Sequence, residues 1–109
     1  METFAAIADP TRRQIIETLA QHGQMSATDI SSRFEISKSG ISQHLKILKD
    51  SGLVEMEARA QFRLYKLRPE AMEQMAAWII RTRWLWSQTM ARQETAEKQE
   101  TAEKTETTD

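Results

Sequence analysis

Two helical patterns joined by a link of only two residues constrain this fold more than any other feature of the sequence. The N-cap residue Ser26 begins the first pattern, a helix of about two turns. Its buried stripe consists of Ala27, Ile30 and Phe34. After the link Glu35-Ile36, the N-cap residue Ser37 begins a second helix. It runs to Ser51, and Gly52 follows where a left-handed residue is needed. Two helices so closely joined predict a helix-turn-helix.

The second of these helices has two chemically different faces. With successive residues 100° apart, one face carries the apolar residues Ile41, Leu45 and Leu48. The opposite face carries Ser39, Ser42, Gln43, Lys46 and Asp50, with Lys38 and Lys49 along one margin. Such a face is usually a solvated surface, but its hydrogen-bonding and basic groups also suit duplex DNA. The pattern alone leaves both interpretations open.

A β-hairpin is predicted after Gly52. Residues 53–58 and 62–67 are β-prone segments joined around Arg59-Ala60-Gln61, which makes the tip of the hairpin polar and basic. No glycine lies at this tip, so the sequence leaves the turn geometry open. Residues 37–68 hold seven bases and three acids, a local charge of +4 in a chain whose net charge is −1. The positive charge is therefore concentrated in one segment.

The remaining helical patterns lie towards the two ends of the chain. Residues 2–8 predict a short apolar helix that ends at Asp9-Pro10, and a second helix runs from there to Gly23. A long helix is predicted from Pro69 to Arg92. Its wide apolar arc includes Ala71, Met72, Met75, Ala76, Trp78, Ile79, Leu85, Trp86 and Met90. An arc this wide indicates packing against the same helix of a second copy, and burial in a monomeric core is the alternative.

Residues 93–109 form an acidic segment built on a hexapeptide repeat, QETAEK followed by QETAEK. The segment has six acids, two bases and no hydrophobic face. Its Glu-to-Lys pairs four residues apart stabilise a helix too weakly to fold an isolated segment. We therefore predict a domain over residues 1–92 and a disordered or frayed helical tail over residues 93–109. A second hypothesis is that this tail competes with phosphate for the basic face.

Several classes of function are excluded by composition. The chain has no cysteine, so disulfides, iron-sulfur clusters and thiolate metal sites are excluded, and His22 and His44 are its only imidazoles. No metal or other cofactor is predicted. The chain has no glycine-rich phosphate loop and no Ser-His-Asp arrangement, so we do not expect an enzyme. It also lacks a long apolar run and a signal-peptide pattern, and we expect a cytoplasmic protein with no membrane partner.

Three stretches of the sequence resemble the ArsR-type (ArsR/SmtB-like) winged helix-turn-helix family of transcriptional regulators. They are ADPTRR at 8–13 with Ile15 to Leu19, ISQHLKIL at 41–48 followed by Gly52-Leu53-Val54, and Tyr65-Lys66-Leu67. The resemblance covers nearly the whole chain apart from the tail, and the second stretch is its most specific part. It implies a mostly α fold with a small β-hairpin wing. The family's metal-binding Cys-x-Cys pair is absent, because residues 27–30 read Ala-Thr-Asp-Ile.

The resemblance also implies a function. It implies a homodimer formed through the first and last helices, most often a repressor, bound to an inverted-repeat operator at the nucleoid. The implied DNA-binding residues are Ser37, Lys38, Ser39, Ser42, Gln43, His44, Lys46, Arg59, Gln61 and Arg63, and Arg12 or Arg13 can add phosphate contacts. The interface residues are Phe4, Ile7, Met75, Trp78, Ile79, Leu85 and Trp86. For His44, packing against a neighbouring helix is the alternative to DNA contact.

Two further expectations concern an effector and an alternative function. A small-molecule or protein effector is expected for a regulator of this type, and the sequence does not identify it. The alternative function is a winged-helix module that binds a protein partner and has little DNA specificity.

Overall fold

A computed structural model describes the backbone of residues 2–106 and the side chains of residues 2–100. It divides into two compact units, one up to Met75 and one from Ala76 onward. The elements in chain order are α1 (Thr3–Ala6), α2 (Pro10–His22), β1 (Met25–Ser26), α3 (Ala27–Ser31), α4 (Lys38–Asp50), β2 (Val54–Arg59), β3 (Phe62–Leu67) and α5 (Pro69–Glu106).

Side-chain caps fix the starts of the helices. The Asp9 carboxylate accepts a hydrogen bond from the backbone N–H of Arg12 at 3.0 Å, and Pro10 occupies the first helical position. In the same way, the Ser26 hydroxyl accepts from the N–H of Asp29 at 3.1 Å. Gly52, just after α4, has φ +83°, the left-handed conformation that glycine adopts without strain. The caps predicted at these positions are confirmed.

The core of the first unit lies between α2, α3, α4 and the sheet. Its fully buried side chains are Ile15, Leu19, Ile30, Ile41, Leu45, Leu48, Leu53 and Val54. Phe34 was predicted to belong to the stripe of α3, but that helix ends at Ser31, and Phe34 packs half-buried against the core from the following turn. The helix pair α3-α4 and the hairpin β2-β3 confirm the predicted winged helix-turn-helix.

The sheet has three antiparallel strands in the order β1-β3-β2 among the described residues. The hairpin pairs Arg59 with Phe62, so Ala60 and Gln61 alone form its turn. The two-residue strand β1 pairs Met25 with Tyr65 and Ser26 with Leu64. β1 was not predicted, and its pairing joins the middle of β3 to the segment between α2 and α3.

The last helix is longer than predicted. It does not end at Arg92 but continues to Glu106, a length of 38 residues. No glycine or proline follows Pro69, and the repeat consists largely of good helix formers, so nothing stops the helix once it has formed. Its first turns belong to the first unit, where Ala71 and Met75 are buried. No described helix combines the length and hydropathy that crossing a bilayer requires.

Candidate nucleic-acid interface

The polar face of α4 is fully available at the surface of the first unit. Lys38, Ser39, Ser42, Gln43 and Lys46 are all exposed. The opposite face is fixed in the core, since Ile41 and Leu45 are 1% exposed and Leu48 is 0% exposed. A helix held this firmly by one side presents the polar groups on its other side in a defined direction. The arrangement suits hydrogen bonding to base edges in a major groove.

The start of α4 uses two of the predicted residues for structure. The Ser37 hydroxyl accepts a hydrogen bond from the N–H of Gly40 at 3.1 Å and lies 3.1 Å from the Ser39 hydroxyl. Gly40 was not predicted to have a structural role. A Cβ atom at this position would lie 3.2 Å from the Ser37 Oγ, which is closer than nine in ten real Cβ contacts. Glycine three residues after a serine N-cap is the signal that could have identified this close approach.

His44 does not lie on the open polar face. Its side chain is 22% exposed, and its Nδ1 lies 3.4 Å from a terminal guanidinium nitrogen (NH1) of Arg12 and 3.9 Å from Asp9 Oδ2. The hydrogen bond from the backbone N–H of Arg12 holds the pKa of the Asp9 carboxyl below its ordinary value, and the positive charge of the Arg12 guanidinium lowers it further. The structure thus brings His44 together with the first turn of α2.

Arg12 and Arg13 have structural partners in the chain itself. Nε of Arg12 donates to the carbonyl of Ala6. A terminal guanidinium nitrogen (NH1) of Arg13 donates to the carbonyls of Ile7 at 3.1 Å and Ala8 at 3.3 Å. These two guanidinium groups therefore satisfy the carbonyls at the end of α1, where a helix leaves its acceptors unpaired. The predicted phosphate contacts of either residue would compete with these bonds.

One face of the wing carries paired charges. A terminal guanidinium nitrogen (NH2) of Arg59 lies 3.1 Å from Oε1 of Glu57, and Nζ of Lys66 lies 3.1 Å from Oε1 of Glu55. Glu57 also accepts a hydrogen bond from Gln24 at 3.5 Å, which connects the wing to the segment before β1. The hydrogen bond from Arg59 lowers the pKa of Glu57, and the positive charge of Arg59 adds to the effect. The basic tip predicted from the sequence is therefore balanced by glutamates on the same strand.

The remaining predicted wing residues lie at or beside the turn. Arg63 pairs with Ala58 across the hairpin, whereas Arg59 pairs with Phe62. Because residues directly opposite share a face and successive residues alternate, Arg59 and Arg63 lie on opposite faces of the hairpin. Gln61 is exposed in the turn. The turn residue before it, Ala60, has φ +54°, a conformation that favours glycine.

The predicted interface residues fall into two groups. Phe4 and Ile7 are half-buried against the core, and Met75 is only 6% exposed within it. The others are exposed in the second unit, with Trp78 at 48%, Ile79 at 51%, Leu85 at 52% and Trp86 at 65%. Two further exposed residues of α5, Ile80 and Trp84, are turned by about 160° from Trp78 and Trp86, respectively, at 100° per residue. The exposed apolar surface of this helix therefore has two sides.

The residues of α3 do not fit the thiolate metal site expected of metal-sensing regulators. Ala27 and Ile30 offer no ligand atom in their side chains, and the chain has no cysteine. No group of three histidine, aspartate or glutamate side chains that could hold a metal ion occurs within the described part of the chain. The chemistry of this surface is hydrogen bonding and charge.

Sequence comparisons identify proteins similar to this chain. Residues 9–56 match the family described as "Bacterial regulatory protein, arsR family". The transcriptional repressor SdpR of Bacillus subtilis (strain 168) is 40% identical over 77 residues, which cover 71% of this chain and 84% of the repressor. The arsenical resistance operon repressor of Escherichia coli (strain K12) is 31% identical over 84 residues, which cover 77% of this chain and 71% of that protein.

Solved structures agree with these sequence matches. An ArsR-like transcriptional regulator from Rhodococcus sp. RHA1 superposes with a TM-score of 0.72 at 28% identity, covering 82% of this chain and 83% of that one. HlyU from Vibrio cholerae N16961 gives a TM-score of 0.61 at 34% identity, covering 73% of this chain and 86% of that one. The functions named among these relatives are regulation and repression of transcription, and none is catalytic.

Proposed function

Because this chain belongs to the arsR family of bacterial regulatory proteins, and is thus a DNA-binding transcriptional regulator, we propose that it represses transcription by binding an inverted-repeat operator as a homodimer. The observation that carries the proposal is the exposed polar face of α4, held rigid by the buried residues Ile41, Leu45 and Leu48. Acting on chromosomal DNA places the protein at the nucleoid, in the cytoplasm.

Affinity and specificity come from different residues of this surface. Lys38, Lys46 and Arg63 are exposed cations that neutralise phosphates and release counterions, so the affinity falls as salt is added. Ser39, Ser42 and Gln43 contact base edges, and Gln43 is long enough to pair bidentately with adenine. Arg59 and Gln61 reach the flanking minor groove or backbone once Arg59 exchanges Glu57 for phosphate.

The dimer is proposed from the exposed apolar side of α5 that includes Ile79, Leu85 and Trp86. More than half of each of these side chains is exposed in the single chain, which is costly for large apolar groups in water. In a two-fold symmetric dimer formed through this side of α5, each copy contributes one α4 helix. Two recognition helices about 34 Å apart on one side of the duplex correspond to half-sites about 10 base pairs apart, centre to centre.

The test is selection of bound sequences from a random duplex library, followed by salt titrations with the enriched duplex. We expect an inverted repeat and a steep decline of affinity with salt. Gln43→Ala should weaken binding to that duplex by about 5-fold to 150-fold and relax the preference at one position of each half-site. Gln21→Ala, at an exposed position on α2, is the matched control and should leave both unchanged.

An absence of enrichment, together with binding that salt does not weaken, would overturn the proposal. A module that binds a protein partner is the function that this result would favour. Enrichment of a single, non-repeated half-site would instead retain DNA binding and contradict the homodimer.

A further inference from the structure

Three helices meet at a small polar cluster outside the exposed face of α4. It consists of Asp9, the N-cap of α2, Arg12 in the first turn of α2 and His44 on α4, and we refer to it as the Asp9–Arg12–His44 cluster. Asp9 accepts from the N–H of Arg12 at 3.0 Å, and His44 Nδ1 lies 3.4 Å from a guanidinium nitrogen of Arg12. Arg12 also donates through Nε to the carbonyl of Ala6 in α1. One guanidinium group thus contacts both α1 and α4.

The cluster is shielded enough for its geometry to matter. The side chains of His44 and Asp9 are 22% and 33% exposed, respectively. For Arg12 to donate to Nδ1, the imidazole must be neutral and carry its proton on Nε2. Hydrogen bonds of this kind depend on direction as well as distance, so they resist small movements of one helix against another.

We propose that the Asp9–Arg12–His44 cluster couples the position of α1 to that of α4, and that His44 is a positioning residue which makes no contact with DNA. The proposal rests on the DNA-binding function proposed above. Gln43 immediately precedes His44, and a bidentate contact with a base tolerates little displacement of α4. α1 carries the predicted interface residue Phe4 and is followed by Ile7. A displacement of α1 is therefore transmitted through Arg12 and His44 to the base-contacting residues of α4.

The first test measures affinity for the selected duplex in a double-mutant cycle of Arg12→Leu and His44→Leu. We expect each single variant to bind about tenfold more weakly, within the range of couplings between linked sites. The double variant should bind no more weakly than the weaker single variant, because both substitutions break the same connection. His44→Gln keeps a hydrogen-bond acceptor and should restore most of the affinity.

The salt dependence separates positioning from contact. If His44 acts only by positioning α4, the slope of log affinity against log salt stays the same in His44→Leu. A slope reduced by about one would identify a lost phosphate contact, and an altered base preference would identify a lost base contact. Either result, or additive losses in the cycle, would overturn the proposal.

A measurement without DNA keeps this test independent of the proposed function. Hydrogen exchange at the amides of Ala6 and Ile7 should be at least about fivefold faster in His44→Leu than in the natural chain. The substitution breaks the polar connection from α1 through Arg12 to α4 and leaves only the direct packing of the two helices. Lys49→Leu, an exposed α4 substitution outside the cluster, is the control and should leave these rates unchanged. Unchanged rates in His44→Leu would refute the coupling even if the protein binds DNA as proposed. Faster rates in a protein that binds no DNA would support the coupling alone.

Discussion

At the scale of single residues, the turn of the wing contains a conformational cost that the sequence only suggested. Ala60 has φ +54°, where its Cβ is close to a neighbouring carbonyl oxygen. Ala60→Gly removes this contact, and we expect the free energy of unfolding to rise by about 0.5 to 1 kcal/mol. Urea denaturation measures the change.

A nearby alanine provides the matched control for this substitution. Ala58 lies in β2, paired with Arg63, in extended backbone. Ala58→Gly should lower the free energy of unfolding by about 0.5 to 1 kcal/mol, because glycine increases the conformational entropy of the unfolded chain and relieves no strain at this position. A lower free energy of unfolding in Ala60→Gly as well would show that the left-handed conformation of Ala60 costs less than the chain entropy that glycine adds.

Glu57 restrains the wing arginine, and its removal should strengthen DNA binding. The glutamate lies 3.1 Å from Arg59, and its lowered pKa keeps it charged well below neutral pH. In Glu57→Gln, Arg59 is free to meet phosphate, so we expect about threefold tighter binding at low salt and a salt slope steeper by about one. Fluorescence anisotropy across a salt series measures both quantities. Glu17→Gln changes the net charge equally on the exposed side of α2, and an identical gain in that variant would show a global charge effect.

At the scale of elements, the helices and caps that depend on neighbouring residues could be predicted from the sequence. The caps at Asp9, Ser26 and Ser37 and the apolar periodicity of α4 depend on residues within one or two turns of each other. The strand β1 escaped prediction because two residues carry no periodicity, and only its pairing with Tyr65 and Leu64 defines it. For His44, packing against a neighbouring helix was one of the two alternatives, but its partner Arg12 was not predicted, since the two residues lie 32 positions apart in the sequence.

The apolar surface of α5 allows a prediction about association. Trp86 and Trp84 are 65% and 59% exposed, and they lie on opposite sides of the helix. Only Trp86 lies on the side proposed for the dimer, so Trp86→Ala should weaken self-association by about 30-fold, as expected for a central tryptophan. Sedimentation over a concentration series measures the dissociation constant.

Trp84→Ala is the control for that experiment, since it removes the same side chain from the same helix. We expect it to change self-association by less than about twofold. A dimer weakened by Trp84→Ala and unaffected by Trp86→Ala would place the interface on the other side of α5, around Ile80.

At the scale of the whole molecule, the separation of charge along the chain is its most unusual property. Residues 37–68 hold seven bases and three acids, whereas residues 93–109 hold six acids and two bases. A net charge of −1 conceals this separation. At low salt, DNA interacts with the charges of both segments, because the Debye length is about 30 Å at 0.01 M salt. At higher salt, increasingly only the charges nearest to the DNA act on it.

The acidic segment should therefore limit binding to arbitrary DNA. Glutamine at Glu94, Glu97, Glu100, Glu103 and Glu106 removes five negative charges and preserves a good helix former at each position. We expect affinity for a random duplex to rise about tenfold at 0.02 M salt, and the difference to vanish near about 0.5 M, because added salt screens long-range interactions between charges. Aspartate at the same five positions keeps the charge but weakens the helix, and it should leave the affinity unchanged. Equal affinities of the natural chain and the glutamine variant at low salt would mean that the acidic segment exerts no influence on the DNA-binding surface.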